Sequence, residues 1–305
     1  MKEAVTMKKW ISLLLSLALV CAFCVAHAEA DGDALYEQGK AAYLAQDYET
    51  AFKIWLPLAE TGNAKGQNGV GLLYENGLGV EQSYAQAAAC YQLAADQGLP
   101  HGQVNLGWLY NNGFGVEQDL DKALTLYTLA ADQGLAEAQY KLGYMYCNGI
   151  GVEADGEKAV AYYTLAAKQG HSEAIHNLGW MYEHGVGVEQ DFEKAWNYYT
   201  QGAELGNELS FYALGVMSFE GKGVEQSYEK TFEYLTQSAE RGYYGAYEFI
   251  GELYRDGLGV ETNLEKAADY FLKAVELGET SEAQANFDKM VEEGKIPADY
   301  TPKEI

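Results

Sequence analysis

The pattern Gly-x-x-Tyr-x-x-Gly-x-Gly-Val returns along this chain at a fixed interval of 36 residues, with serine in place of tyrosine in the fifth of six copies. The two closing glycines of each copy stand at Gly77/Gly79, Gly113/Gly115, Gly149/Gly151, Gly185/Gly187, Gly221/Gly223 and Gly257/Gly259. A fixed period of this length is the signature of a repeat architecture, because one unit is too small to bury its apolar face alone. The fold is therefore predicted to be a stack of similar units.

The third unit shows the pair of helices that each unit encodes. Ala138 and Leu142 recur at helical spacing and predict a first helix over about residues 136–148. Gly149 ends that helix, since glycine adopts positive φ freely, and Asp155 is the N-cap candidate of a second helix. Because the same signals recur in every unit, the predicted fold is all-α: an α/α superhelix, a solenoid of antiparallel helix hairpins.

A glycine also stands inside each first helix, where it costs about 1 kcal/mol relative to alanine. In the third unit this residue is Gly143. Close approach of the paired helix is predicted to offset the cost, with small residues such as Ala167 facing the glycine. The repeated tyrosines of the first helices are predicted to fill the core, and they are Tyr74, Tyr110, Tyr146, Tyr182 and Tyr254.

The limits of the repeat predict the domain organisation. The first hairpin lacks the Gly-x-Gly-Val connection, and the last helix carries Phe287 and Met290 where glycine and tyrosine stood, as suits a terminal cap. The predicted segments are a signal peptide (1–28), a single solenoid (29–294) made of an N-terminal hairpin (33–62), six 36-residue units (64–278) and a capping helix (281–293), and a loose tail (295–305).

The N-terminal segment has the pattern of an export signal. Lys8 and Lys9 precede an apolar run from Trp10 to Val25, and Ala26-His27-Ala28 is a small-x-small cleavage site. We therefore expect cleavage after Ala28, a periplasmic or secreted protein and no stable membrane insertion afterwards. The alternative is an uncleaved membrane anchor, because the apolar run approaches the length of a short span.

The charge of the chain argues against nucleic acid as a partner. Removal of residues 1–28, which carry three lysines and one glutamate, changes the formal net charge from −25 to −27. Phosphates need Lys and Arg to neutralise them, so a basic partner or a purely solubilising surface fits this charge better. Only Cys90 and Cys147 remain in the mature chain, in different repeats, so no disulfide is predicted.

The repeat resembles that of a known family. Residues 174–206 contain Leu178-Gly179, Tyr182, Gly185-x-Gly187-Val188, the capping residue Asp191, Lys194-Ala195, Tyr199 and Gly206. In this order and spacing they resemble the Sel-1-like repeat, a relative of the tetratricopeptide repeat with a longer connection. The resemblance implies a solenoid that works as an adaptor, an envelope scaffold or a host-protein binder. A cysteine-rich branch is associated with β-lactam compounds, but this chain lacks the paired cysteines of that branch.

The sequence signatures of catalysis are missing. There is no Gly-x-Ser-x-Gly elbow, phosphate-binding loop or His-Glu-x-x-His segment. The spacing of His171, His176 and His184 does not place three ligands on one face of a helix, so solvated or groove-lining histidines are predicted instead of a metal site. No catalytic, cofactor-binding or metal-binding residue is predicted.

The candidate binding groove lies on the first helices, opposite their core face. One column is aromatic in three successive units, at Trp108, Tyr144 and Trp180. Polar positions flank it, and they are Asn105, Lys141, Asn177, Asn112, Asn148 and His184. A concave row of aromatic and amide side chains suits a peptide or a glycan. In the alternative interpretation, the two tryptophans pack between neighbouring repeats.

The sequence thus predicts an exported, non-catalytic scaffold or adaptor that binds a protein or peptide through the concave face of its solenoid, without a cofactor. Two alternatives stay open. One is a protein that binds or hydrolyses cell-wall or β-lactam compounds, which the family resemblance alone suggests. The other is a glycan-binding module for envelope polysaccharide.

Overall fold

The computed structural model of the chain describes residues 31–278 and 281–303, and those residues form helices and short connections without any strand. The predicted signal peptide, with its cleavage site after Ala28, lies outside the described residues. Within the part that is described, no helix is both long and apolar enough to cross a membrane.

The chain divides into two compact units, the first ending at Leu135 and the second beginning at Ala136, where the sequence predicted a single solenoid. In a repeat protein each unit contacts mainly its neighbours, so a boundary between repeats is a natural place for a division. Each compact unit is a solenoid of successive helix hairpins. This confirms the all-α solenoid class for both.

The first unit contains three hairpins, in which each helix packs on the next along the chain. Its helices are α1 (31–44), α2 (Tyr48–Glu60), α3 (Ala64–Asn76), α4 (Tyr84–Asp96), α5 (Pro100–Asn112) and α6 (Leu120–Asp132). The second unit contains four hairpins and one further helix. Its helices are α7 (Ala136–Asn148), α8 (Gly156–Ala167), α9 (Ser172–His184), α10 (Phe192–Glu204), α11 (Glu208–Glu220), α12 (Tyr228–Ala239), α13 (Tyr244–Asp256), α14 (Leu264–Gly278) and α15 (Ser281–Glu292).

The predicted helix signals are confirmed in detail. The Asp155 side chain accepts a hydrogen bond from the Lys158 N–H at 3.0 Å, which caps α8. Gly149 adopts φ 68° after the last residue of α7, in the left-handed region that glycine tolerates without strain. These local signals set where the helices begin and end.

The partner of the glycine inside the first helix is a ring in five of the six long units and Leu235 in the fifth, which corrects the sequence prediction. A Cβ atom on Gly143 would lie 2.5 Å from Cδ1 of Tyr163, so the missing side chain makes room for that ring. Ala167 does not occupy this place. Tyr163 is 1% exposed, whereas Tyr146, predicted to fill the core, is only partly buried. Among the described residues four tyrosines are buried, all on second helices: Tyr91, Tyr127, Tyr163 and Tyr199.

The C-terminal segment is ordered, although it was predicted as a loose tail. Ile296 is 4% exposed and packs in the cluster around Phe271 and Met290. The Tyr300 hydroxyl donates to Oδ1 of buried Asp269 at 2.7 Å, and the Lys303 N–H donates to the same oxygen at 2.9 Å. Residues 295–303 therefore pack on the last hairpin. Their hydrogen bonds to Asp269 offset the free-energy cost of burying its carboxylate.

Candidate functional site

In the second unit, α7, α8 and α9 border a cavity of about 220 Å³, which we call the α7–α9 cleft. Its lining residues are Tyr144, Cys147, Asn148, Tyr163, His176, Asn177, Trp180 and Met181. Four of the nine residues predicted for the groove are thus brought together here, namely Tyr144, Asn148, Asn177 and Trp180. None of the eight lining residues is Asp, Glu, Lys or Arg, so with a neutral histidine the lining carries no charge.

The rim of the cleft carries two aromatic side chains. Tyr144 is 44% exposed and Trp180 is 40% exposed. The Trp180 ring stacks on the imidazole of His184, one helical turn later, with 4.6 Å between the ring centroids. Trp180 is therefore supported by its own helix and keeps a large surface open, which favours the groove interpretation over packing between repeats at this position.

The inner part of the cleft contains polar groups that are held in place. Asn177 and Tyr163 both line the cleft, and burial raises the pKa of Tyr163 and of Tyr140. The His176 ring lies 5.3 Å from that of Tyr199, and its Nδ1 lies 3.3 Å from Ser210 Oγ. Burial lowers the pKa of His176 to about 4, so the imidazole is neutral at pH 7.

Cys147 is the residue that distinguishes this cleft from related positions. One repeat later, Glu183 stands at its place and accepts a hydrogen bond from the Tyr199 hydroxyl at 2.7 Å. In the first unit, Glu75 accepts from Tyr91 in the same way. The shorter thiol cannot reach into this space as a carboxylate does. Burial also raises the pKa of Cys147, so the thiol is protonated at neutral pH.

Two predicted polar residues are engaged by neighbouring side chains. Lys141 Nζ lies 3.0 Å from Glu137 Oε1, and His171 Nε2 lies 3.0 Å from Glu137 Oε2. The hydrogen bond from His171, together with Lys141, lowers the pKa of Glu137 to about 2. His171 also stacks on Tyr140 at 4.6 Å. His171 is thus mostly buried by packing on Tyr140 and by its contact with Glu137, neither solvated nor lining the cleft, which corrects its sequence prediction.

The predicted amides at the ends of the first helices serve those helices. Asn112 Nδ2 donates to the Trp108 carbonyl at 2.8 Å, and Asn148 Nδ2 donates to the Tyr144 carbonyl at 2.9 Å. His184 Nδ1 lies 2.9 Å from the Trp180 carbonyl. Each of these side chains folds back onto a carbonyl one turn earlier in its own helix, so it is occupied near the helix end. Of the three, only Asn148 also lines the cleft.

Three predicted groove residues, Trp108, Asn105 and Asn112, belong to the first unit. Trp108 is partly buried and packs against Phe114, with 5.2 Å between the ring centroids. Asn105 Nδ2 donates to Asn68 Oδ1 at 3.0 Å. Trp108 is therefore more enclosed by neighbouring side chains than Trp180 is.

Sequence reasoning missed Cys147, Tyr163 and Met181, whereas His176 was among the histidines predicted to be solvated or groove-lining, and it lines the cleft. A signal for the first was present, because cysteine interrupts the polar residues Glu75, Asn111 and Glu183 of the first four units, before Phe219 and Arg255 follow in the last two. The described residues contain no group of three His, Cys, Asp or Glu side chains placed to hold a metal ion.

Comparison with protein families identifies seven copies of one repeat. The model of the Sel1 repeat matches residues 30–63, 64–99, 100–135, 136–171, 172–207, 212–243 and 245–279. The first match covers the N-terminal hairpin, which the sequence analysis had set apart from the six 36-residue units because it lacks the Gly-x-Gly-Val connection. No curated protein sequence matches the chain.

Two solved structures are similar to the chain. One is a protective antigen present in uropathogenic Escherichia coli strains that displays an SLR fold, with 34% identity, a TM-score of 0.73, and coverage of 86% of this chain and 57% of the antigen. The other is a Sel1 repeat protein from Oxalobacter formigenes, with 32% identity, a TM-score of 0.73, and coverage of 79% of this chain and 96% of that protein. The chain therefore spans little more than half the length of the E. coli antigen.

Proposed function

Because the chain belongs to the Sel1 repeat family, whose members commonly act as protein-interaction scaffolds, we propose that it binds an extended segment of a partner protein in the α7–α9 cleft. One observation carries this proposal. Tyr144 and Trp180 expose 44% and 40% of their surface at the rim of one cavity whose inner side chains include amides.

The chemistry of the cleft suits a peptide. Exposed aromatic side chains bury a large area on binding and lose little conformational entropy, which makes them frequent anchors of protein interfaces. Asn148 and Asn177 add amide groups, which can pair with a peptide backbone. A cavity of about 220 Å³ accommodates one side chain of a partner, while the rim contacts the residues on either side.

We propose that the scaffold is non-catalytic. A cysteine nucleophile needs a lowered pKa, but burial raises the pKa of Cys147. His176 has a pKa of about 4, far from the value near 7 that suits a general base. Purified protein mixed with nitrocefin should therefore show no turnover. Turnover that persists after repurification, and is lost in Cys147→Ser, would contradict this part of the proposal.

Peptide display on the purified protein tests the binding function. Wild type should enrich a defined set of peptides, and the double variant Tyr144→Ala/Trp180→Ala should bind each of them at least about tenfold more weakly, as loss of anchor residues implies. Trp108→Ala is the matched control, because it removes a tryptophan at the same repeat position in the first unit. Binding that is equal in wild type and double variant would rule out the cleft.

Two other outcomes have a defined meaning. A loss of binding in Trp108→Ala as well would extend the binding surface to the first unit, as the sequence prediction of three anchors requires. Enrichment of envelope polysaccharide in place of peptides, with quenching of tryptophan fluorescence, would support the glycan alternative.

We also propose that the scaffold acts after export, because residues 1–28 carry the features of a cleavable signal. Mass spectrometry of the protein recovered from the periplasm and the medium should give an N-terminus at Glu29. A chain that retains residues 1–28 and fractionates with the membrane would instead establish the uncleaved anchor.

A further inference from the structure

We propose that the α7–α9 cleft is a pocket for the side chain of a tyrosine, presented by a basic segment of the partner. This inference rests on the proposed function and specifies it, because it names the side chain that the bound peptide inserts. The size of the cavity, its aromatic rim, its uncharged lining and the charge of the surrounding protein support it in turn.

The size of the cavity fits a single ring. A protein cavity of about 150 Å³ is large enough to bind benzene. The α7–α9 cleft measures about 220 Å³, which leaves room for a phenol with its hydroxyl but not for two side chains. The rim residues Tyr144 and Trp180 can contact the faces or edges of the inserted ring, and Met181 offers a thioether, which also favours aromatic contacts.

The lining selects against a charged side chain. It contains no Asp, Glu, Lys or Arg, although such residues make up 21% of the chain. His176 is neutral at pH 7 and Cys147 is a protonated thiol. A lysine or glutamate head group inserted here would lose its hydration without gaining a counter-charge, which is unfavourable. The occupant is therefore an uncharged side chain.

Polar groups inside the cleft favour tyrosine over phenylalanine or leucine. Tyr163 lines the cleft, and a phenol hydroxyl can accept and donate hydrogen bonds at the same time. The Tyr163 hydroxyl can therefore donate to an incoming oxygen. One repeat later, the equivalent hydroxyl of Tyr199 donates to Glu183 and is already used. A site with such a donor discriminates against ligands that lack the matching oxygen.

The net charge of the chain favours a basic segment around the tyrosine. The chain has a formal net charge of −25, with 45 acidic and 20 basic residues. A positively charged segment is attracted by this field, while an acidic one is repelled. The occupant is thus a segment in which lysine or arginine flanks an uncharged tyrosine.

The probe is a capped pentapeptide, acetyl-Lys-Gly-Tyr-Gly-Lys-amide, with versions that carry phenylalanine, leucine, glutamate or lysine at the centre. Titration into the isotopically labelled protein is followed through the indole N–H resonance of Trp180, assigned with Trp180→Phe. The tyrosine peptide should bind most tightly and the phenylalanine peptide about tenfold more weakly, since one hydrogen bond is lost. The glutamate and lysine peptides should show no saturation.

The chain itself supplies a matched pair of variants. Cys147→Glu installs the residue that the next repeat carries at Glu183, so the fold accommodates it, and it places a carboxylate in the cleft. It should abolish binding of the tyrosine peptide. Asn111→Glu makes the same change at the same repeat position in the first unit and should leave binding unchanged. Trp180→Ala is a second test of the cleft, with retained helicity as the control.

Each result decides the inference. Equal affinity for the tyrosine, phenylalanine and glutamate peptides, no binding of the tyrosine peptide, or unchanged binding in Cys147→Glu would overturn it. If display yields peptides that need Tyr144 and Trp180 but carry no tyrosine, the inference fails and the proposed function survives. If no peptide depends on those two residues, both fail.

Discussion

The α7–α9 cleft and the equivalent place between α9 and α11 share one backbone plan but differ in their inner side chains. Four positions define the comparison, and in the order cleft/next repeat they are Cys147/Glu183, Tyr163/Tyr199, His176/Tyr212 and Trp180/Val216. Only the second position keeps its residue type, and both of its tyrosines are 1% exposed.

In the next repeat the tyrosine is satisfied by its own protein. The Tyr199 hydroxyl donates a hydrogen bond to Glu183 at 2.7 Å, so each of these two polar groups has a partner within the protein. In the cleft, Cys147 leaves the hydroxyl of Tyr163 beside open volume. A repeat scaffold therefore keeps its buried framework in successive copies, while a few substitutions at one position of the repeat separate a binding surface from a structural one.

The largest effect should come from removing the shared framework. Tyr163→Ala and Tyr199→Ala should each lower the free energy of unfolding by about 3–5 kcal/mol, because each leaves a cavity against a helical glycine. Urea denaturation followed by circular dichroism measures both. If one variant loses less than about 1 kcal/mol, the two copies do not share their framework.

The next effect concerns pH, and only the cleft copy should show it. The pKa of His176 is lowered to about 4, so the folded protein excludes a proton that the unfolded chain binds near pH 6.5. The stability from the neutral imidazole is fully present above pH 6.5 and is lost as the pH falls toward 4, by about 3 kcal/mol in total. Tyr212, its counterpart, does not titrate there, since burial raises its pKa to about 12.

The variant His176→Gln should therefore flatten the dependence of the free energy of unfolding on pH between 4 and 6.5. Glu137 contributes a separate loss at lower pH, because its pKa of about 2 lies below its ordinary value, and this loss should remain in the variant. An unchanged slope in His176→Gln would show that the imidazole is already accessible to protons.

A smaller difference should appear when only the hydroxyls are removed. Tyr199→Phe should lower the free energy of unfolding by about 1.5–3 kcal/mol, because it removes the hydroxyl that donates a hydrogen bond to the carboxylate of Glu183. Tyr163→Phe should lower it by only about 0.5–1.5 kcal/mol, since Cys147 stands where the next repeat has the carboxylate of Glu183. Equal losses in the two variants would remove the electrostatic distinction between the copies.

The smallest change in stability is expected when the cleft is given the side chain of its neighbour. Cys147→Glu supplies a carboxylate that can accept from Tyr163, so the free energy of unfolding should change by less than about 1 kcal/mol, as for a satisfied polar group. Thermal unfolding of this variant beside wild type measures the change. A loss above about 3 kcal/mol would mean that the new carboxylate stays unpaired.

The pattern of the chain was enough to predict the helices and their limits. The first helix of the third unit was expected at about residues 136–148, and α7 spans Ala136–Asn148. Asp155 was expected to cap the next helix, and it does. Such signals act within a few residues, through backbone hydrogen bonds and allowed φ values, so a sequence is sufficient to read them.

Tertiary structure alone decided which side chains meet. Gly143 was recognised as unusual, but its partner Tyr163 lies on the next helix and could not be distinguished from an alanine by spacing alone. Residues 295–305 were predicted to form a loose tail, but Tyr300 and Lys303 donate hydrogen bonds to Asp269. The cleft likewise depends on the volume that Cys147 leaves beside residues of three helices. Local hydrogen bonding is encoded over a few residues, whereas packed volume depends on contacts that exist only after the chain has folded.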